Sequence, residues 1–145
     1  MAKILDDKDK ALLALLSANS RESTAELARR LGLSRSTVKD RIERLEKHGI
    51  ITGYTVRYSE AYNTGQIRAQ VMISYDPKQA NQIVRHLRQL PAIKAVYAVN
   101  GIYDIIAHVS ADSTGDLDHT LDQIGEIDGI DKTVSSIILS TKFER

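Results

Sequence analysis

The side chains able to do chemistry fall into two sets, and the first does not converge. Four histidines, His48, His86, His108 and His119, are scattered along the chain. His108 shares a strand-like stretch with Asp104, while His86 and His119 fall in helical patterns. No pair has a metal-ligand spacing such as HExxH, and neither a glycine-rich phosphate loop nor a nucleophile elbow occurs. The absence of cysteine removes thiolate catalysis, disulfides and cysteine-ligated zinc. The expectation is a protein that is not an enzyme and holds no metal or cofactor. The second set is cationic and polar. Arg29, Arg30, Arg35, Ser36, Thr37, Lys39 and Arg41 crowd the stretch "STAELARRLGLSRSTVKDRIERL", which begins at Ser23. Their chemistry is hydrogen bonding and charge pairing with an anion.

Three helices are needed to position that set. The first is expected from about Asp6 to Ala18, with Leu5, Leu12, Leu15 and Leu16 forming one apolar stripe. Ser23 followed by Glu26 is a capping-box pair that starts a second helix with Leu27, Ala28 and Leu31 inward. Gly32 can end it in the left-handed region. Only Leu33 separates that glycine from Ser34, a second cap. Two short helices joined so tightly must cross steeply, which is helix-turn-helix geometry. The third helix runs from Arg35 to about His48, with Val38, Ile42 and Leu45 inward. Ser36, Lys39, Asp40, Glu43 and Lys47 fall opposite, and Arg35 and Arg41 lie on the shoulders.

A helix presented in this way can enter the major groove of duplex DNA. Arg35, Ser36, Thr37 and Lys39 lead, and are the first candidates for base or phosphate contact. Arg29, Arg30 and Arg41 suit phosphate contacts that set position. The competing view is a solvated face, because Lys39–Glu43, Asp40–Arg44 and Glu43–Lys47 are all spaced to pair along the helix. The doubled cap and one-residue link favour the DNA reader, since a plain bundle has no need of them. Beyond Gly49, "IITGYTVRYS" alternates enough to suggest a strand pair turning near Thr52–Gly53, a β wing. Lys47, His48 and Arg57 could reach a flanking groove from there.

The remainder reads as a second domain. A hinge-like "SEAYNTGQ" precedes the strand "IRAQVMISY". Asp76 and Pro77 then open a helix using Ala80, Ile83, Val84, Leu87 and Leu90. "IKAVYAV" and "YDIIAHVSA" are strands about Asn100–Gly101, a tight-hairpin signal. Ser113 starts a helix with Leu117, Leu121 and Ile124 inward, and "KTVSSIILST" is the last strand. The fold class is therefore α+β: a winged helix-turn-helix over 1–60, a hinge over 61–66 and a ferredoxin-like β-α-β-β-α-β domain over 67–145. Right-handed crossovers place both helices on one face of the sheet. Apolar residues nevertheless occupy both registers: Val96, Ala98 and Ile102 against Tyr97, Val99 and Tyr103, and Ile137 and Leu139 against Ile138. The uncovered face calls for a partner, and a second copy is the simplest one. Paired reading heads would also suit a palindromic site.

Composition agrees with two different halves. Residues 1–60 carry twelve Lys/Arg against nine Asp/Glu, a balance of +3, and residues 61–145 carry eight against ten, a balance of −2. A chain of 145 residues buries roughly two-thirds of its extended surface. The charged opening "MAKILDDKDK" has no signal-peptide character, and no run reaches the apolar length of a membrane span. A soluble, cytoplasmic protein with no membrane partner is expected.

The stretches "LDDKDKALLALLSANSR", "TAELARRLGLSRSTVKDRIERLEKHGIITGY", "VNGIYDIIAHV" and "GIDKTVSSIILS" together cover almost the whole chain. In them the sequence resembles the Lrp/AsnC (leucine-responsive, or feast/famine) family of transcription regulators. "RIERLEKHGII" with a downstream "GIYD" makes the likeness specific. The resemblance implies a homo-oligomer, dimers assembling to octamers or other rings. It also implies an amino acid or related metabolite bound between dimers as the effector. The matching positions are Asn100, Gly101, Tyr103 and Asp104 of the turn, and Thr133, Ser135 and Ser136 of the last strand. Backbone near Gly101 would meet the ligand's charged end, Asp104 its ammonium, and the hydroxyls its polar atoms. The family commonly has threonine where Ser135 stands. Asp104 is equally suited to a structural carboxylate at the hairpin, and Tyr97 and Tyr103 to packing or dimer contact. An architectural, DNA-compacting protein whose second domain only oligomerises is the alternative function.

Overall fold

The computed structural model describes residues 5–145 and divides into two compact units, Met1–Arg57 and Tyr58–Arg145. In the first, α1 (Asp7–Ala18), α2 (Thr24–Leu31) and α3 (Arg35–Lys47) surround one core. Leu12, Leu16, Leu27, Ala28, Leu31, Val38 and Leu45 are its buried residues. These are the positions that helical periodicity turns inward, so the apolar stripes assemble the unit.

Each helix start is held by a side chain. The Asp6 carboxylate accepts from the Asp9 N–H at 2.7 Å, and the Asp6 N–H donates to the Asp9 carboxylate at 3.3 Å, a complete capping box. Ser23 Oγ accepts from the Glu26 N–H at 3.1 Å, but the reciprocal half of the expected box is missing. The Glu26 carboxylate is occupied by Arg29 and Arg30 instead. Gly32 adopts φ 64°, and the Leu33 N–H returns to the Ala28 carbonyl at 3.0 Å. This left-handed turn stops α2 and delivers the chain to Ser34, whose Oγ accepts from the Thr37 N–H at 3.2 Å.

The β wing is a correction. Residues 52–58 form no strand, and Tyr54, Val56 and Tyr58 stand exposed. Alternation makes a segment fit for pairing, but a ladder needs a second strand, and the segment has none within its own chain. Tyr54 Oη donates to Glu46 Oε1 at 3.1 Å, tying this arm to α3. The segment expected as a hinge contains a four-residue helix, α4 (Glu60–Asn63), capped by Ser59.

The second unit is a four-stranded antiparallel sheet in the order β2-β3-β1-β4, with helices α5 and α6. The strands are β1 (Ile67–Tyr75), β2 (Ile93–Ala98), β3 (Ile105–Ala111) and β4 (Ile130–Ile138). Ile83 and Leu87 of α5 (Ala80–Arg88) and Leu117 and Ile124 of α6 (Thr114–Gly125) join one core with Ala69, Val71, Ile73, Ile105, Ala107 and Val109. Alternate residues along β3 and through the middle of β1 are therefore buried. The intervening residues, with their partners in register, make the opposite face: Arg68, Gln70, Met72, Ile106, His108, Tyr97, Val134, Ser136 and Ile138. Neither α5 nor α6 covers this face, although Arg68 at its edge reaches Glu60 of α4 at 3.4 Å, and Tyr97 and Ile138 are 51% and 40% exposed.

The Asn100–Gly101 hairpin also differs from expectation. β2 ends at Ala98 and β3 begins at Ile105, and Gly101 is not among the glycines with positive φ. A two-residue hairpin of the Asn-Gly kind needs such angles. A longer loop, residues 99–104, forms here, and Ile102 belongs to it at 92% exposure rather than to a strand.

Candidate nucleic-acid interface and effector site

At the amino-terminal end of α3, Arg35, Ser36 and Lys39 are exposed and Thr37 is half-buried. The hydroxyls of Ser36 and Thr37 lie 3.2 and 2.7 Å from Ser34 Oγ, so the cap orders the leading turn. Of the three ion pairs possible along α3, only Lys39–Glu43 forms, at 4.0 Å between two exposed side chains. Arg44 turns away from Asp40 to another helix. An exposed pair at that distance contributes little and exchanges readily for a stronger anion.

The remaining cations are less available. Arg29 Nε and Arg30 Nε each donate to the Glu26 carboxylate at 2.9 Å. The Arg29 and Arg30 hydrogen bonds pull the Glu26 carboxyl from the ordinary 4.5 to about 2. A phosphate that engages this shoulder of α2 must compete with Glu26. Arg41 is held across helices: its Nη1 donates to Asp6 at 2.7 and 2.8 Å and to Asp9 at 2.9 Å. The Arg41 hydrogen bond, with the Asp9 N–H behind it, keeps the Asp6 carboxyl below its usual range. His48 Nδ1 caps back on the Arg44 carbonyl at 2.7 Å.

Sequence reasoning missed Asp6, Asp9 and Arg44 as members of this site. Asp9 is 2% exposed and accepts from Arg44 Nη2 at 2.7 Å through both oxygens. The readable signals were the Asp6/Asp9 capping spacing and two arginines one turn apart on the shoulder of α3.

The structure brings part of the expected effector set together. The Asp104 N–H donates to the Ile73 carbonyl at 2.9 Å, and Asp104 Oδ2 accepts from the Tyr75 N–H at 3.0 Å. The Asp104 carbonyl accepts from the Val99 N–H at 3.0 Å and closes the loop. Thr133 pairs with the same Ile73 from the other side of β1, so loop and last strand meet one end of the sheet. Ser135 opposes Val71 and shares the face of Thr133, whereas Ser136 opposes Gln70 and points to the uncovered face. Asn100 and Gly101 are exposed, and Tyr103 is half-buried. Tyr97 packs edge-on against His108 on the uncovered face, at 5.1 Å between ring centres. It stands with the sheet surface and not with Asp104.

Beside the loop lies a groove of about 510 Å³ between α5 and the edge strand β2. Tyr75, Ala98 and Ile105 close its loop end, Val84 and Val96 line it, and Arg88 and Lys94 stand along it. None of the seven expected effector residues lines this groove.

A tight double-capped helix-turn-helix on one unit, and a one-faced ferredoxin-like sheet on the other, define the class of two-domain helix-turn-helix regulators. Family models agree on both parts: "Winged helix-turn-helix DNA-binding" matches residues 5–52, and "Lrp/AsnC ligand binding domain" matches residues 68–145. The chain belongs to the Lrp/AsnC family of helix-turn-helix transcriptional regulators. It is 34% identical to the HTH-type transcriptional regulator LysM of Saccharolobus solfataricus, over 96% of each chain. Among solved structures it is similar to a feast or famine regulatory protein of M. tuberculosis complexed with L-methionine, with TM-score 0.85, 32% identity and coverage of 97% and 96%. E. coli AsnC is also similar, with TM-score 0.84, 28% identity and coverage of 99% and 97%. The family regulates transcription and is not one of enzymes. Among the described residues no helix is long and apolar enough to cross a membrane.

Proposed function

We propose that this protein is a sequence-specific regulator of transcription whose DNA affinity responds to an amino acid or a closely related metabolite. Its division of labour runs from a reader over 1–60, through a connecting 61–66, to an effector-binding and assembly domain over 67–145. Arg35, Ser36, Thr37 and Lys39 meet base edges and adjacent phosphates, and Arg29 and Arg30 set position on the backbone. The observation that carries the reading is the Gly32–Leu33–Ser34 turn, which leaves the first turn of α3 exposed while its apolar side is buried.

Protomers pair through the uncovered sheet face, and dimers assemble further, with octamers expected. Paired heads then address two half-sites on one duplex, and the protein works in the cytoplasm. The effector's ammonium meets Asp104, Thr133 and Ser135 supply polar contacts, and backbone at Asn100 and Gly101 receives the carboxylate. Tyr103 walls the site, and Ser136 borders it from the other face. The L-methionine carried by the 32%-identical M. tuberculosis protein supports this ligand class.

The architectural alternative is weaker on charge. Glu26 already engages Arg29 and Arg30, and Glu43 partly engages Lys39. Non-specific affinity grows with the number of phosphates neutralised, and Arg29, Arg30, Lys39, Arg41 and Arg44 of the reader are already paired with carboxylates. Mapping bound genomic DNA with and without candidate amino acids tests the proposal. Discrete sites whose occupancy changes with one amino acid support it. Uniform coverage indifferent to every amino acid supports compaction.

A further inference from the structure

We infer that Asp9 is a positioning residue for DNA recognition: through Arg41 and Arg44 it fixes the rotation of α3 about its own axis, and Arg41 is a strut of this clamp and not a phosphate contact. The inference rests on α3 being the DNA-reading helix.

Three observations carry it. Asp9 is one of two buried polar residues among those described, and every partner it needs is present: the Asp6 N–H, Arg41 Nη1 at 2.9 Å, and Arg44 Nη2 at 2.7 Å. Arg41 and Arg44 are one turn apart on α3, so a single carboxylate grips that helix at two heights. Asp6 adds a second acceptor for Arg41 at 2.7 Å. The carboxylates are themselves set by the capping box of α1, which locks their rotamers to the helix start. Arg41 gives its Nη1 to both carboxylates and its side chain is 20% exposed, so its charge is already paired and largely turned inward, which leaves it poorly placed for a phosphate.

The apolar stripe of Val38, Ile42 and Leu45 holds α3 against the core but supplies no directional bond that sets its rotation. Side-chain tips lie roughly 5–6 Å from a helix axis, so a roll of about 10° moves Arg35 or Lys39 by about 1 Å. Base-edge hydrogen bonds do not survive such a shift, whereas contacts to flexible phosphate partners largely do. Losing the clamp should therefore erode sequence choice more than general affinity.

The test measures binding of Asp9→Asn, Arg41→Ala and the double variant to a cognate and a scrambled duplex at several salt concentrations. Helix content is followed by circular dichroism. Unpaired from its arginines, each single variant is expected to lose about tenfold in cognate-over-scrambled preference, the size of one lost base contact. The salt slope stays at the wild-type value, and the double variant is no worse than either single one, since they disable one unit. A shallower slope for Arg41→Ala, by about 0.9 per protomer, with equal loss on both duplexes, makes Arg41 a phosphate contact and overturns the inference. So does undiminished preference in folded Asp9→Asn. If Asp9→Asn fails to fold, Asp6→Ala removes the more exposed carboxylate of the clamp and must lower preference in the same direction. A wild-type protein without any duplex preference refutes the reading of α3 itself, a separate outcome.

Discussion

Asp104 anchors a loop and, in the proposed site, meets the effector's ammonium; one pair of substitutions separates the two roles. In the folded chain its Oδ2 accepts from the Tyr75 N–H at 3.0 Å, anchoring the 99–104 loop to β1. Asp104→Ala leaves that half-buried donor unsatisfied and removes a charge-assisted hydrogen bond. Such bonds contribute about 1.5–3 kcal/mol, and the half-exposed position places the loss near the lower end. For a unit of this size about 1.5 kcal/mol lowers the melting temperature by roughly 6–12 °C. Asp104→Asn keeps an acceptor oxygen for Tyr75 and removes only the charge. Its melting point should fall by no more than about 3 °C. A carboxylate–ammonium contact is worth about 1.5–3 kcal/mol in a partly desolvated site, so amino-acid affinity should fall roughly 10- to 150-fold in Asp104→Asn. Calorimetric titration of the effector identified by the mapping experiment, with thermal melting alongside, reads both effects. Asp104→Asn protein that binds the effector as tightly as wild type refutes the ammonium assignment, and Asp104 is then an anchor of the loop alone.

Arg35→Ala or Lys39→Ala should cost about 1–3 kcal/mol on a cognate duplex and much less on a scrambled one; equal losses in an anisotropy titration would make these backbone contacts. The Arg29→Ala/Arg30→Ala double variant should weaken binding to all duplexes and flatten the salt slope by up to about 1.8 per protomer, while Glu26→Gln, which releases both guanidinium groups, should tighten binding to all duplexes. Because the folded Glu26 carboxyl is depressed to about 2, its ion pairs support the fold fully above the ordinary 4.5 and lose that support as pH falls toward 2. Melting curves between pH 5 and pH 2 (about that window) should accordingly show a smaller acid loss for Glu26→Gln than for wild type. Tyr97→Asp on the uncovered sheet face should leave monomer stability nearly unchanged and weaken self-association more than about tenfold in sedimentation, since it would bury an unpaired charge in the interface.

The parts legible in the sequence are those specified by neighbours along the chain. The Ser23 and Ser34 caps, the Gly32 stop and the period of leucines place α1–α3, and alternation with turn residues places the β-α-β-β-α-β order. Legibility fails where a group chooses among distant partners. Glu26 has the spacing of a capping-box acceptor, yet two arginines on the same helix take its carboxylate. Asn100–Gly101 signals a two-residue turn, but Asp104 reaches across to β1 and the chain opens into a longer loop. "IITGYTVRYS" alternates like a strand with no partner strand in its own chain to complete it. The Asp9 clamp joins residues more than thirty positions apart in sequence; the capping spacing beside Asp9 marks the helix start but does not reveal which arginines reach it. In the effector set, Thr133 and Asp104 meet at Ile73 as spacing alone could not show, and Ser136 faces the other side of β4 from Thr133 and Ser135 because side chains alternate along a strand.

The central claim is that two copies of this chain place two α3 helices in the major groove of one duplex. Hydroxyl-radical and methylation footprinting of the purified protein on a bound genomic fragment tests it most directly. The account predicts two protected major-groove patches whose centres lie about 10 base pairs, or a multiple of that, apart, on a sequence with approximate two-fold symmetry. A single patch, or even protection along the whole fragment, would contradict it.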